Sequence, residues 1–270
     1  MTAPNARVLI TGSSRGIGRG VALKMAEQCA RVAIHYLSNV DAAKATLDLV
    51  RGRGGDGVLV QGDVLDPEQV SKIVTQAASA FDGLDVFVSN ARPELPFFFY
   101  PPLDISLEQW DSAVNSQAKA FLIGAREAAA AMSDGGRIVA VTYATGSRTG
   151  GLQPWVAMGA AKAAMEATAR YLAVALAGRA ITVNLVSPSW TEDSVLNTLP
   201  IEAQDVIREW HQAGWTPMGR LATPADVGDA VWLLCQPEAG FITGQVLLVD
   251  GGAALMNVEV PPELQLPPRT

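Results

Sequence analysis

The feature that most constrains this chain is an alternation of short, β-rich apolar runs with longer stretches of helical period. The runs are Arg7 to Thr11, Arg31 to His35, Gly57 to Gln61, Leu84 to Ser89, Gly136 to Thr142, Ala180 to Val186 and Gln245 to Val249. They are apolar on both sides, as strands buried in a parallel sheet must be. Helical patterns lie between them: Gly16 to Cys29, Val40 to Arg51, Pro67 to Ala80, Ser106 to Met132, Pro154 to Ala177 and Pro224 to Gln236. Several open on Pro or on a capping residue such as Asp66 or Thr223. The expected fold is a single α/β domain over residues 1–256, a doubly wound, seven-stranded parallel sheet with helices on both faces. A Pro-rich tail, 257–270, follows. No internal repeat or linker marks a second domain, and 270 residues stay within what one core supports.

Composition narrows the partners. Hydrophobic residues make up 49% and charged residues 17%, which excludes a disordered chain. The net charge is -7 and Lys or Arg never cluster in a run, so neither nucleic acid nor an anionic membrane is an expected partner. No apolar stretch approaches the ~18 residues of a membrane span, and the polar N-terminus leads straight into a strand. A small-molecule partner and a cytoplasmic location are expected. Cys29 and Cys235 sit in separate helical stretches without a CxxC or a His cluster, so buried free thiols are expected and no metal site.

Directly after the first run comes Thr11-Gly12-Ser13-Ser14-Arg15-Gly16-Ile17-Gly18. Gly12 suits a tight turn, Gly16 lacks the Cβ that would obstruct a diphosphate, and Gly18 lets the following helix approach the sheet with its amides facing negative charge. Strand, glycines and helix in this order make a Rossmann-type dinucleotide site. An NAD site would carry a carboxylate at the end of the second strand. This chain has Tyr36, Leu37, Ser38 and Asn39 there, and Arg15 within the turn can pair with a 2'-phosphate, so NADP(H) is the expected cofactor. Asp63 and Val64, after the third strand, fall beside the adenine, or Asp63 caps a turn. Two stretches break the strand–helix repeat and follow strand C-termini, where such sheets bind ligands. One is 92–105, opening RPELPFFFYPPLD; the other is 189–217, with Trp190, Trp210 and Trp215.

The chain resembles the short-chain dehydrogenase/reductase family over nearly its whole length. Beyond the glycine turn, the resemblance rests on Ser89-Asn90-Ala91 where the family has Asn-Asn-Ala-Gly, and on Lys162 in a long Ala-rich helix. It rests also on Asn184 before Ser187-Pro188, Pro217 and Arg220 before Pro224-Ala225-Asp226-Val227, and Ile242-Thr243-Gly244-Gln245 leading to Val249-Asp250-Gly251-Gly252. Met158 to Glu166 and Arg170 to Val174 look most like the NADPH-using type III enoyl-acyl-carrier-protein reductases. The resemblance implies hydride transfer, with the nicotinamide near Lys162 and the strand ends after Val141 and Val186. It places Gly12, Ser14, Arg15, Gly16, Ile17, Gly18, Ser38, Asp63, Val64, Asn90, Ala91, Pro188 and Thr191 at the cofactor. It also implies a homotetramer or homodimer built from the Ser106 and Pro154 helices.

The resemblance breaks at the proton donor. Family members place a Tyr four or seven residues before the Lys; here those positions hold Met158 and Trp155, neither of which can give up a proton. The assisting Ser falls at Thr142 or Tyr143, the relay Asn aligns with Gln117 rather than Asn115, and Arg92 replaces a Gly. A positioned acid contributes roughly 10² to 10⁴ in rate. An isolated ketone, whose alkoxide is very basic, needs that help. A quinone or conjugated ketone gives a phenol-like anion, with a pKa near 10 by analogy with Tyr, and tolerates brief existence beside a cation. Lys162 supplies that charge and Trp155 or Tyr143 a hydrogen bond.

The expected reaction is therefore NADPH-dependent reduction of a bulky aromatic quinone or conjugated ketone, as in polyketide metabolism. Arg92, Phe97, Trp155, Met158 and Trp190 stand on the substrate side. Phe97 to Tyr100, Trp155, Trp190, Trp210 and Trp215 either line a wide aromatic pocket or plug a core or interface. Tyr143 is the first alternative proton donor. His211 is the second, though an isolated surface His is the plainer reading, and His35 lies too far toward the adenosine. Two rival readings are an enoyl-thioester reductase and a catalytically silent NADP-binding protein. The presence of Lys162 argues against the latter.

Overall fold

A computed structural model describes residues 5–28, 30–143, 154–257 and 259–266, without the side chain of Phe97. Seven parallel strands form one sheet: β1 (Arg7–Ile10), β2 (Arg31–Tyr36), β3 (Asp56–Gln61), β4 (Leu84–Ser89), β5 (Met132–Val141), β6 (Thr182–Pro188) and β7 (Val246–Val249). Their spatial order is β3-β2-β1-β4-β5-β6-β7. The order reverses between β1 and β4, which opens a crevice at their C-terminal ends.

Side-chain alternation along the strands feeds two cores. Val8, Ile10, Val32, Ile34, Val86 and Val88 face helices α1 (Gly16–Ala26), α2 (Val40–Gly52) and α8 (Pro224–Leu234). Leu9, Ala33, Phe87, Ile138 and Ala140 face α3 (Pro67–Phe81), α5 (Ala120–Ala131) and α6 (Val156–Leu176). Both sheet faces are thus covered, as the doubly apolar strands require. Asp66 caps α3 by accepting from the amides of Glu68 and Gln69, and Thr223 caps α8 in a reciprocal box with Asp226. Cys235 is buried, and desolvation pushes its thiol up to about 12, so it stays an unreactive packing group. Cys29 lies outside the described residues. No helix among the described residues is long and apolar enough to cross a membrane.

The pattern expected as one helix from Ser106 to Met132 is interrupted. Helix α4 (Leu107–Val114) passes through a wider π-helical turn, Asn115–Lys119, before α5 begins. The extra residue in that turn lets Gln117 point inward and donate to the Ala91 carbonyl at 3.0 Å, just past β4. Strand β5 starts at Met132, ahead of the expected Gly136, with a register shift against β4. The 189–217 stretch contains α7 (Ile201–Trp210) and a wide turn, His211–Trp215. Part of the tail folds back onto this turn through α9 (Pro262–Gln265). A Cβ on Gly214 would meet Pro262 and Leu266 at 3.0 Å.

Helices α1 and α8 touch backbone to backbone. A Cβ on Gly20 would lie 2.3 Å from the Pro224 carbonyl oxygen, and one on Gly228 would lie 2.8 Å from that of Gly20. Gly20→Ala is therefore expected to lose about 1–3 kcal/mol, although Ala is the better helix former. Gly159→Ala, whose Cβ would meet nothing within 4 Å, should instead gain up to about 1 kcal/mol. Urea midpoints of the two variants check both signs.

Candidate active site

The glycine turn lies at the crevice between β1 and β4. Gly12 and Gly16 have φ of 66° and 57°, a region that disfavours any side chain. A Cβ on Gly12 would press on Ala91 Cα at 2.8 Å, one on Gly18 on the Gly12 carbonyl oxygen at 2.3 Å, and one on Gly16 on the Asp193 carbonyl oxygen at 2.7 Å. The cradle is pinned from three sides. Asn90 Nδ2 donates to the carbonyls of Thr11 and Gly12 at 3.0 Å, and the Asn90 and Ala91 amides both donate to Thr11 Oγ1. His35 Nδ1 accepts the Gly12 amide at 2.8 Å, while its Nε2 bonds the Gly62 carbonyl, which fixes the neutral tautomer. Burial lowers the His35 pKa to about 4, in keeping with an accepting Nδ1.

The remaining cofactor-side residues are distributed as follows. Ser14 gives its carbonyl to Arg19 and Thr46, so it is part of the turn's scaffold. Ile17 packs against the core beneath α1. Arg15 is exposed, its side chain making no hydrogen bond or ion pair among the described residues, and Ser38 is exposed just past β2. Asp63 caps a turn through the Leu65 amide at 2.9 Å, which engages the carboxylate. Val64 lines a small cavity with Thr11, Ser89 and Ala91. Pro188 closes β6, and Thr191 is buried, donating to the Ser189 carbonyl at 2.9 Å. Glycines that admit backbone close to a ligand, free helix N-terminal amides and an unpaired Arg15 fit a dinucleotide diphosphate.

Lys162 is only 7% exposed. Its Nζ donates to the Val141 carbonyl at 2.6 Å, where β5 ends. Burial, helped by the nearby Arg92 cation and opposed by Glu166, brings its pKa down to about 7. Glu166, one turn further along α6, accepts from Thr142 Oγ1 at 2.7 Å and ties the strand end to the helix that carries Lys162. The Thr142 hydroxyl is thus committed to Glu166. Tyr143, next in line, stacks on Trp155 with ring centroids 5.6 Å apart, and burial raises its pKa. Met158 is buried on the face of α6 that bears Lys162, and Trp155 precedes the helix.

The aromatic residues divide into two groups. Trp155, 6% exposed, contacts Phe98, Phe99 and Trp190 at centroid distances of 5.2, 5.6 and 6.0 Å. With Met158 and Ala113 these form a third core cluster, so Trp155 and Phe98 are a packed floor. Trp210 and Trp215 stack on one another at 4.8 Å in the turn after α7. Trp155, Phe98, Phe99 and Trp190 thus pack together at one place and Trp210 with Trp215 at another, rather than around one wide pocket. His211 corrects the surface reading: it is 3% exposed, bonded through Nδ1 to Thr216 Oγ1, and lowered in pKa by burial. The side chain of Phe97 lies outside the described residues. Arg92 follows Ala91 and stays accessible, its guanidinium giving one bond to the Pro93 carbonyl at 2.9 Å.

Sequence reasoning did not single out Thr11, His35 as the clamp on Gly12, or Glu166 as the partner of Thr142. The i to i+4 spacing of Lys162 and Glu166 was the one signal available for the last of these.

A doubly wound sheet, a glycine cradle at its switch point and a buried lysine beside the β5 terminus define a nucleotide-dependent oxidoreductase, and the chain belongs to the short-chain dehydrogenase/reductase family. The family model that matches, over residues 12–254, is described as enoyl-(acyl carrier protein) reductase. The chain is 34% identical to the 1-cyclohexenylcarbonyl-CoA reductase of Streptomyces collinus over 269 residues, covering 97% of this chain and 92% of that protein. It is 30% identical to the hydroxynaphthalene reductase-like protein Arp2 of Metarhizium brunneum, with 91% and 93% covered. Among solved structures it is similar to the angucycline C-6 ketoreductase LanV with bound NADP, at a TM-score of 0.83 and 29% identity over 94% of this chain and 98% of that one.

Proposed function

We propose that this protein is an NADPH-dependent reductase of a bulky aromatic quinone or conjugated ketone of polyketide type. The observation that carries the reading is a buried Lys162 at the end of β5 with Met158 and Trp155, not a phenol, four and seven residues before it. Polycyclic aromatic chemistry is the common ground of two similar proteins, the hydroxynaphthalene reductase-like Arp2 and the angucycline ketoreductase LanV. The cofactor is NADP(H): Arg15 is free for the 2'-phosphate and Ser38 stands where a carboxylate would repel it. Gly12, Gly16, Ile17, Gly18, Asn90 and Ala91 hold the diphosphate side, with Ser14 bracing the turn. Val64, Pro188 and Thr191 border the cleft. Bound NADPH supplies the hydride.

The residues of this chain then manage the charge that appears on the acceptor oxygen. Lys162, held at the strand end by the Val141 carbonyl, offers its ammonium in a dry setting, where a fixed charge acts far more strongly than in water. Tyr143, protonated because burial raises its pKa, offers its hydroxyl as a donor, and Trp155 fixes the ring by stacking. Thr142 sets the position of Tyr143 through its bond to Glu166. Trp155 and Met158, buried in the third core cluster, back Tyr143 with a rigid apolar floor, and the half-buried Trp190 extends it toward an aromatic acceptor. A delocalised product anion needs no acid at the instant of transfer and takes its proton from water afterwards.

NADPH oxidation followed with 1,4-naphthoquinone, a crotonyl thioester and an aliphatic ketone tests the reading. The quinone should turn over at least about 100-fold faster than the ketone, the low end of what a positioned acid contributes. Faster turnover of the thioester would favour enoyl reduction, which similarity to the cyclohexenylcarbonyl-CoA reductase supports. Tyr143→Phe should lower quinone kcat about 10- to 100-fold, the worth of one hydrogen bond to an anion. A change below about twofold would remove Tyr143 from the mechanism.

A further inference from the structure

Arg92 has no role in the cradle and no ion-pair partner among the described residues. It follows Ala91, whose Cα would touch a Cβ on Gly12 at 2.8 Å, so it leaves the end of β4 beside the glycine turn. The loop beneath it is fixed by the Gln117 bond to the Ala91 carbonyl. Its guanidinium gives one hydrogen bond, to the neighbouring Pro93 carbonyl, which leaves most of its N–H groups without a protein partner among the described residues. Strands β4 and β5 are neighbours, with Ser89 opposite Ala140, so Arg92 and the Lys162 ammonium on the Val141 carbonyl lie at adjacent strand ends, and Arg92 is electrostatically coupled to both Lys162 and Arg15. Desolvation by the surrounding protein, and next the Arg15 cation, bring the Arg92 pKa down to about 10, with Glu94 opposing, and Arg92 in turn disfavours the charged form of Lys162. In a chain of net charge -7, three cations running from the glycine turn to the strand ends are a local arrangement that awaits anions. Arg15 is the cation assigned above to the cofactor phosphate. Arg92 and Lys162 are left for the acceptor.

We propose that Arg92 is a second cation at the reacting oxygen, sharing with Lys162 the negative charge that hydride transfer creates there. The inference rests on the quinone or enone reading above. Hydride from NADPH forms a C–H bond at the carbon conjugated with the carbonyl, the C=C π pair shifts to the adjoining C–C bond, the carbonyl π pair moves onto oxygen as an enolate or phenolate, and NADP⁺ is left. The oxyanion lies between the Lys162 ammonium and the Arg92 guanidinium until water protonates it. Two cations take the place of one phenol: the site stabilises the anion instead of quenching it.

The ionisation of 4-nitrophenol bound to the NADP⁺ complex reads this charge directly, through the absorbance of its phenolate. In the wild type the bound probe should ionise at least about one pH unit lower than free probe, as beside an opposite charge. Arg92→Gln should abolish half or more of that displacement, and Arg92→Lys should retain most of it. Failure of the probe to bind, or an equal displacement in Arg92→Gln, overturns the proposal. A loss of NADPH affinity in Arg92→Gln with the probe unchanged also overturns it, because Arg92 would then serve the cofactor. Naphthoquinone turnover by the wild type is scored separately. If it is absent, the reductase reading fails; if it is present and the probe is indifferent to Arg92, only the role of Arg92 fails.

Discussion

Lys162→Met should yield a protein that is more stable without cofactor yet reduces naphthoquinone at least about 10³-fold more slowly. The two effects have one origin. The ammonium is 7% exposed, is hydrogen-bonded to the Val141 carbonyl and lies near another cation, so the folded apo state resists its protonation until about pH 7. The unfolded chain takes up the same proton at the ordinary lysine pKa of 10.5. Between these values the unfolded state binds more protons, so the wild type gains stability as pH rises from 7 toward 10 and carries the full penalty below 7. Met removes the penalty. The variant's advantage should be about 1–4 kcal/mol near neutral pH, as when a buried charge is replaced by an apolar group of similar size. It should shrink as the pH approaches 10. The activity loss follows from removing a preorganised charge at the oxyanion, worth about 10² to 10³ for a single donor and more for a full cation. Denaturant unfolding across pH, set beside naphthoquinone kinetics, checks both. An equally active variant would mean that Lys162 is only a packing residue.

The second large effect is a gain. Met158→Tyr places a phenol one helical turn before Lys162 on the same face of α6. If a missing proton donor is what bars ordinary ketones, this variant should reduce an aliphatic ketone about 10²- to 10³-fold faster, while naphthoquinone reduction changes little. Met158 is buried against Phe98, Ala113 and Trp155, so the larger ring is expected to lower stability by about 1–3 kcal/mol. The diagnostic quantity is the ratio of the two rates. A parallel rise on both acceptors, or no rise on the ketone, would show that proton supply is not what sets specificity.

The sheet was legible because each strand is apolar on both sides and each crossover is helical. Val8 with Ile10 on one face and Leu9 on the other needed no more than alternation. Asp66 and Thr223 announced helix starts through chemistry that acts within three residues. The glycine turn was legible for the same reason, since the constraint on Gly12 and Gly16 is local backbone geometry. What escaped depends on contacts distant in sequence. The π-helical turn at Asn115–Lys119 interrupts an otherwise regular helical pattern, and nothing in its residues distinguishes five from four per bond. Whether the loop aromatics line one pocket or pack as separate groups depends on which loops approach each other, as when Tyr143, Phe98 and Trp190 converge on Trp155. Arg92 was conspicuous as a departure, but its electrostatic coupling to both Arg15 and Lys162 needs the fold.

His35 sets the acid tolerance of the nucleotide cradle. The Gly12 amide depends on an imidazole nitrogen that keeps its lone pair, and the ring is buried with its other nitrogen committed to Gly62. Between the ordinary histidine value of 6.5 and about 4, the unfolded chain accepts this proton while the native chain declines it, so acidification erodes the fold from here. Once the ring is charged, two N–H groups face each other and the first glycine must let go. The lower limit of pH at which this protein keeps its nucleotide is therefore written in the second strand, in a side chain that acts through the Gly12 amide.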